Sequence, residues 1–216
     1  VASATASTTY TVDNSCRFNK ADSAYLSKTL VTPTNAKICT FSTWYKQGNP
    51  AQTTSMSDNA LFSGYTDTNE RHEFKLFNYM LRTFGKEGGS TNVSLGTSAL
   101  YRDPSAWYHI VLAIDTSQST DTNRMKLYVN GTQVTSFSAS YPTYIPQDAI
   151  FEWCVADATF GIGRAYGGNY LDAYLAEVCF IDGQQLTPTS FGEFNEDSPT
   201  IWQPIDVSGL TFGNNG

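Results

Sequence analysis

The stretch KLYVNGTQV, residues 126–134, decides the fold class. Two alternating runs meet at Asn130-Gly131. A two-residue hairpin turn needs φ > 0 at both central positions, and Asn-Gly supplies that at least cost. Such a turn sets Val129 opposite Thr132 and Leu127 opposite Val134, with Met125 extending the same side. Leu127, Val129 and Val134 then make a buried face. Lys126, Tyr128, Gln133 and Thr135 make a wetter one. A slip of one residue would exchange the two faces, so the pattern fixes the register.

The same period of two recurs on both sides of the hairpin. AWYHIVLAIDT, 106–116, sets Ile110, Leu112 and Ile114 against Trp107, Val111 and Ala113. KICTFSTWYKQG, 37–48, carries large groups on both faces, which suits an inner strand. HEFKLFNYMLRTFGK, 72–86, must turn back near Asn78. RFNKADSAYLSKTL, 17–30, reads as two short strands, and ALFSGYT and LAEVCFIDGQQL read as one strand each. SYPTYIPQDAIFEW, 140–153, reads as a long excursion with exposed aromatics and a partly buried Trp153. Thr187 as N-cap and Pro188 at N1 predict a single helical turn. Roughly 12–14 short strands without a βαβ unit define an all-β sandwich or barrel. Strands apolar on both faces favour two stacked sheets.

Composition agrees. Aromatic residues make up 14% of 216 residues and charged residues only 15%. Net charge is −7, and Lys and Arg form no run or basic patch along the chain. That argues against a nucleic-acid partner. No apolar run is long enough to span a bilayer as a helix, so no membrane partner is expected. The start has neither the charged nor the apolar region of a signal peptide, and the ends read as those of a segment from a longer polypeptide. Cys16, Cys39, Cys154 and Cys179 permit two disulfides in three connectivities. The apolar runs around Cys39 and Cys179 favour buried free thiols instead.

Four features in order carry a resemblance. They are the Trp strand of DPSAWYHIVLAIDTSQ, the hairpin of NRMKLYVNGTQV, the strand FGIGRAYGGNY, and LAEVCFIDGQQLTPTSFGEF, which ends in Asp-Gly before a short turn. Together they resemble the laminin G-like, concanavalin A-like jelly-roll family. The resemblance implies two antiparallel sheets over 16–195, preceded by a linker or edge arm, 1–15, and followed by an extension, 196–216, that continues into a longer protein. More narrowly, FIDGQQLTPTSFGEF, IWQPI and RDPSAWYHIVLAID resemble repeated domains in virion proteins of marine tailed bacteriophages. That implies a non-enzymatic module of a fibre, spike or other appendage at the virion surface, folded in the host cytoplasm. Its partners would be other virion subunits, identical chains or a cell-surface glycan. The alternatives are a secreted carbohydrate-binding lectin domain of a cellular protein and a divergent glycoside hydrolase.

The residues weigh against the hydrolase. Its hallmark, Glu-x-Asp-x-x-Glu on one strand, aims carboxylates at one face as acid and nucleophile. Glu177 and Asp182 have the wrong spacing. Glu70 and Glu73 fall on opposite faces, and Glu193, Glu196 and Asp197 sit near the end of the chain; all read as solvated charges. No Gly-x-Ser-x-Gly is present. His109, alternating with Trp107 and Val111, reads as a satisfied structural histidine, and His72 as an exposed one in a polar turn. No catalytic residue and no cofactor is predicted. Loop oxygens at Asp58-Asn59, Asp67 with Asn69, and Asp121 with Asn123 could serve calcium, but no metal ligand is assigned. Sugar binding would use exposed rings with polar groups beside them. The candidates are Tyr141, Tyr144, Tyr166 and Tyr170, with Asn169 and Asp172. The same tyrosines could instead pack on neighbouring chains or cover their own loops.

Overall fold

The computed structural model describes residues 10–49 and 59–216. Seventeen strands occur among them. They are β1 (Cys16–Phe18), β2 (Leu26–Thr29), β3 (Ile38–Gln47), β4 (Asn59–Tyr65), β5 (Arg71–Phe77), β6 (Met80–Glu87), β7 (Ser90–Thr97), β8 (Tyr108–Asp115), β9 (Met125–Val129), β10 (Thr132–Gln133), β11 (Phe137–Thr143), β12 (Thr159–Ile162), β13 (Arg164–Ala165), β14 (Asn169–Tyr170), β15 (Ala173–Asp182), β16 (Gly192–Phe194) and β17 (Trp202–Pro204). Helix is confined to isolated single turns, one of them at Pro188–Ser190 after Thr187 as expected. Two antiparallel sheets face each other. One has six strands in the order β1-β15-β3-β8-β9-β10, the other seven in the order β11-β7-β6-β5-β4-β12-β2.

The hairpin forms in the expected register. Thr132 lies opposite Val129, and the Val134 N–H donates to the Leu127 carbonyl at 2.8 Å. Asn130 and Gly131 take φ of 48° and 77°. The turn near Asn78 is also present: Asn78 and Tyr79 take φ of 49° and 65°, and β5 folds back on β6. The Tyr128 face is drier than expected. Tyr128 packs against a second apolar cluster of Val111, Cys179, Ile181 and Phe191, covered by Val207, Leu210 and Phe212 from the last residues. All four cysteines are free thiols, and only Cys16 is exposed.

The main core lies between the sheets. Phe41 on β3 meets Phe62 on β4 with ring centroids 3.9 Å apart. Phe62 also touches Phe74, Trp153 and Phe160. Trp153 is fully buried, not partly buried. The 140–153 excursion dives into the core through Ile145, Phe151 and Trp153. Phe151 stacks on Trp153 at 4.4 Å, and Gly64 leaves room for the Trp153 backbone, where a Cβ would come within 2.2 Å.

Both histidines are structural, which corrects the reading of His72 as exposed: it is 1% exposed. Its Nδ1 accepts the Glu152 backbone N–H at 3.1 Å, so its Nε2–H donates to Asn92 Oδ1 at 3.2 Å. His109 repeats the logic. The Trp202 indole N–H donates to its Nδ1 at 2.9 Å, which leaves Nε2–H to donate to Ser42 Oγ at 2.9 Å. An indole N–H only donates, so the tautomer is fixed. Trp202 reaches this position because Gly131 and Gly192 present no Cβ to its ring. The hairpin tip is fastened to the same residue, as Asn130 Oδ1 accepts the His109 N–H at 2.8 Å.

Phe62→Ala should lower stability by about 3–5 kcal/mol, read from denaturant unfolding. The second expectation concerns acid. Burial lowers both imidazoles from 6.5 to about 4. Below pH ~6.5 the unfolded chain binds protons that the folded chain refuses until about pH 4, so stability falls through that window, by about 1.4 kcal/mol per unit of depression. Glu152 opposes this trend, because burial raises its carboxyl. The readout is therefore comparative: between about pH 7 and about pH 4.5, His109→Gln should lose less unfolding free energy than the native sequence.

Candidate functional site

Period two places β5 residues alternately in the core and on the outer face of the seven-stranded sheet. Phe74 and Leu76 point inward and are fully buried. Glu73 and Lys75 therefore take the outer face. On β6, Arg82 lies opposite Lys75 and Phe84 opposite Glu73. The β13–β14 ribbon brings Tyr166 and Asn169 to the same place. Together they line a groove of about 390 Å³ with Arg71 and Gly167.

Its electrostatics are unusual for a chain of net charge −7. Three cations surround one aromatic ring: Arg71, Lys75 and Arg82 lie 5.9, 5.1 and 5.3 Å from the Phe84 centroid. Glu73 is the one carboxylate among the described lining residues. It meets Lys75 Nζ at 2.8 Å and Arg71 Nε at 3.7 Å, and it is 3% exposed. The expectation of a solvated Glu73 is thus corrected, as is the absence of a basic patch. Arg71 and Lys75 share one face of β5, and strand pairing with β6 brings Arg82 to them. Arg82 also donates to Ser94 Oγ at 2.9 Å.

The six residues predicted for sugar binding divide. Tyr166 and Asn169 line the groove; Tyr166 sits edge-on to Tyr65 and 5.6 Å from Arg71. Tyr141 on β11 flanks it, with Arg82 4.0 Å from its ring centroid. Tyr170 and Asp172 lie elsewhere. Tyr170 packs near Tyr25 and Arg164, and Asp172 is engaged by Arg17. Tyr144 lies against Phe137 beside a separate hollow that includes Asn123 and Val134. Sequence reading missed Arg71, Lys75, Arg82 and Phe84. Their signal was the alternation of 71–84, once folded at Asn78.

Asp182 is not the solvated charge the sequence suggests. Asp182 is 1% exposed and accepts the backbone N–H groups of Thr34 at 2.9 Å and Asn215 at 3.1 Å. Asp67 Oδ1 accepts the N–H groups of Asn69 and Glu70, and Asp121 Oδ1 that of Thr122. Asp58 lies outside the described residues. Among the described residues, no three His, Cys, Asp or Glu side chains gather as metal ligands would. Glu152, raised by burial, accepts the Thr66 hydroxyl at 2.8 Å and is not part of the groove.

Two facing antiparallel sheets with this strand order define a laminin G-like jelly-roll sandwich. The description "Concanavalin A-like lectin/glucanases superfamily" matches residues 18–189, and the chain belongs to that family. Among solved structures it is similar to domains LG4-5 of the mouse laminin alpha1 chain, at 12% identity and a TM-score of 0.56. That likeness covers 95% of this chain and 48% of the other. It is also similar to the binding domain of Paraclostridial Mosquitocidal Protein 1, at 15% identity and a TM-score of 0.52, over 81% and 41% of the two chains. A weaker likeness, at 19% identity and a TM-score of 0.45 over 77% of each chain, is to domain 4 of the arabinanase AbnA of Geobacillus stearothermophilus. At these identities the likeness concerns the fold. The chain spans about half the length of the laminin fragment. No curated protein matches it.

Glu73→Gln should cost roughly 3 kcal/mol, because it removes the buried carboxylate that meets Lys75 and Arg71. Adding Lys75→Met should recover part of the loss, which a double-mutant cycle in urea would register.

Proposed function

We propose that this chain is a non-enzymatic recognition module that holds an acidic glycan in the groove on its seven-stranded sheet. We further propose that it is displayed on a virus particle, in an appendage of the tailed-phage kind its motifs resemble. The observation that carries the first statement is the convergence of Arg71, Lys75 and Arg82 on Phe84, beside Tyr166 and Asn169. Rings offer stacking surfaces to pyranose faces, Asn169 suits hydroxyls, and the cations suit carboxylate or sulfate groups. Membership of a superfamily named for lectins and glucanases supports sugar as the ligand class. The non-enzymatic reading rests on the groove's acids. Glycosidases place two carboxyl groups across the scissile bond, and among the described lining residues this groove has Glu73 alone, paired to Lys75.

A glycan array with sulfated, uronic-acid and neutral members tests this. Binding should favour the acidic members and weaken with salt, as screened charge pairs do. Arg82→Gln and Tyr166→Ala should each reduce it by about tenfold or more. Salt-indifferent binding, or binding that survives both substitutions, would sink the groove as the site. Release of reducing sugar from any polysaccharide in the panel would overturn the non-enzymatic reading. Capsid or tail genes beside this one would support display on a virion, and a cellular secretion context would favour a secreted lectin instead.

A further inference from the structure

The seven-stranded sheet ends at β2, and the free side of that strand has the features that hold another strand. We propose that β2 is a docking edge for an extended peptide of a partner protein, one that sets an acidic side chain opposite Lys28 and an apolar one opposite Leu26. All four residues of β2 are exposed. Leu30, just beyond it, turns its backbone toward the β12 side: its N–H donates to the Ala158 carbonyl at 3.0 Å, and its carbonyl accepts the Asp157 N–H at 2.9 Å. Backbone groups alternate in direction along an antiparallel strand. Lys28 and Leu26 therefore face β12, while Ser27, Thr29 and Val31 turn their N–H and C=O groups away from the sheet.

Three observations define the occupant. First, one rung of this edge is already filled by an amide. The Asn215 side chain accepts the Val31 N–H at 2.9 Å and donates to the Val31 carbonyl at 2.9 Å. A carboxamide carries the donor and acceptor of a peptide group, so it shows how a neighbouring backbone would sit. The next two rungs, Thr29 and Ser27, have no such partner among the described residues. Second, a hollow of about 250 Å³ lies beside the strand. Phe160 and Phe180, with centroids 5.1 Å apart, line its base. Leu26 and Val178 flank it and remain 56% and 36% exposed although apolar. Third, Lys28 is the one charged side chain among the described residues of the hollow.

An added strand would pair its backbone with Thr29 and Ser27. Lys28 and Leu26 are then the positions without hydrogen bonds in the new pair, where facing side chains come closest. A carboxylate there meets Lys28, and an apolar side chain fills the hollow beside Leu26. A lipid chain would leave the backbone groups of Thr29 and Ser27 unpaired. A second copy of this chain, paired through β2 so that both rungs are used, would set Lys28 against Lys28, a pairing that like charges disfavour. A lysine on an edge strand discourages self-association in this way and still admits an acidic partner. This edge shares no lining residue with the cationic groove.

The probe is a capped eight-residue peptide of alternating threonine and valine, with one central valine replaced by glutamate. One control carries lysine in place of the glutamate, and another is N-methylated at its threonines, which removes the N–H groups that would face the edge. Backbone amide signals of this chain are followed in nitrogen-15 correlation spectra during titration. The expected result is saturable movement of the Ser27 and Thr29 signals, with the glutamate peptide bound roughly fivefold more tightly than the lysine peptide and no saturable movement with the N-methylated one. Lys28→Glu should reverse that preference. Thr29→Pro removes an N–H that bonds nothing in the fold, so it should leave the urea midpoint nearly unchanged and weaken peptide binding about tenfold. Arg82→Gln should leave the titration as it is, so failure here and failure of the groove are distinct results. The edge is not a peptide site if no peptide moves the two signals, or if the N-methylated peptide binds as well as its parent. The same holds if Thr29→Pro with an unaltered midpoint leaves the titration unchanged. A preference that survives Lys28→Glu would overturn the acidic partner. Movement of these signals on raising the protein concentration alone would assign the edge to a second copy and overturn the partner peptide. The Lys28→Glu and N-methyl arms decide the question even where Thr29→Pro shifts the midpoint.

Discussion

The contact between Phe41 and Phe62 holds the two sheets together, and the surface chemistry follows from it. Phe41 belongs to the six-stranded sheet and Phe62 to the seven-stranded one, with centroids 3.9 Å apart. Phe74, Trp153 and Phe160 extend this layer, and Phe160 reaches Phe180 on β15. Side chains of a strand alternate between faces, so seating Phe74 and Leu76 in the core leaves Glu73 and Lys75 no inward choice. The cationic groove is thus the outward consequence of the apolar interior.

Local sequence signals made much of the fold legible. Asn130-Gly131 and the Asn78 turn both rest on positive φ, which few residue types tolerate, so the sequence announces them. The inner position of β3 was visible because both its faces carry large groups, and β3 does lie between β15 and β8. Other features left no such trace. His72 sits among polar neighbours in the sequence, yet the 140–153 excursion folds over it and supplies the Glu152 N–H. Trp153 lies in a segment with prolines and no period, where burial depends on what it meets rather than on its neighbours. Glu177, at φ of 47°, marks an irregularity in β15 that shifts its pairing with β3 between Ala176 and Cys179. Nothing in AEVCF signals that break. Of the candidate site, Tyr166, Asn169 and Tyr141 were found as rings and amides on loops. The cations were not, because they form no run: Arg71 and Lys75 are four residues apart on β5, and Arg82 joins them across the strand pair.

The two sheets treat their outer faces differently. The six-stranded sheet carries an apolar cluster on its outer face as well, where Val111, Cys179 and Ile181 meet Val207, Leu210 and Phe212, and Asp182 clamps Asn215 close by. The seven-stranded sheet carries charge instead. Lys75 and Arg82 are paired directly across β5 and β6, an arrangement that is unfavourable for like charges by itself. Here Glu73 and the faces of Phe84, Phe77 and Tyr141 offset part of that repulsion. Cation–ring contacts are worth more when desolvated. In the proposed function, a carboxylate or sulfate entering the groove would meet donors held in this arrangement. Sequences seldom keep locally unfavourable pairs without a gain elsewhere, and that is the physical ground of the proposal that the groove serves an anionic ligand.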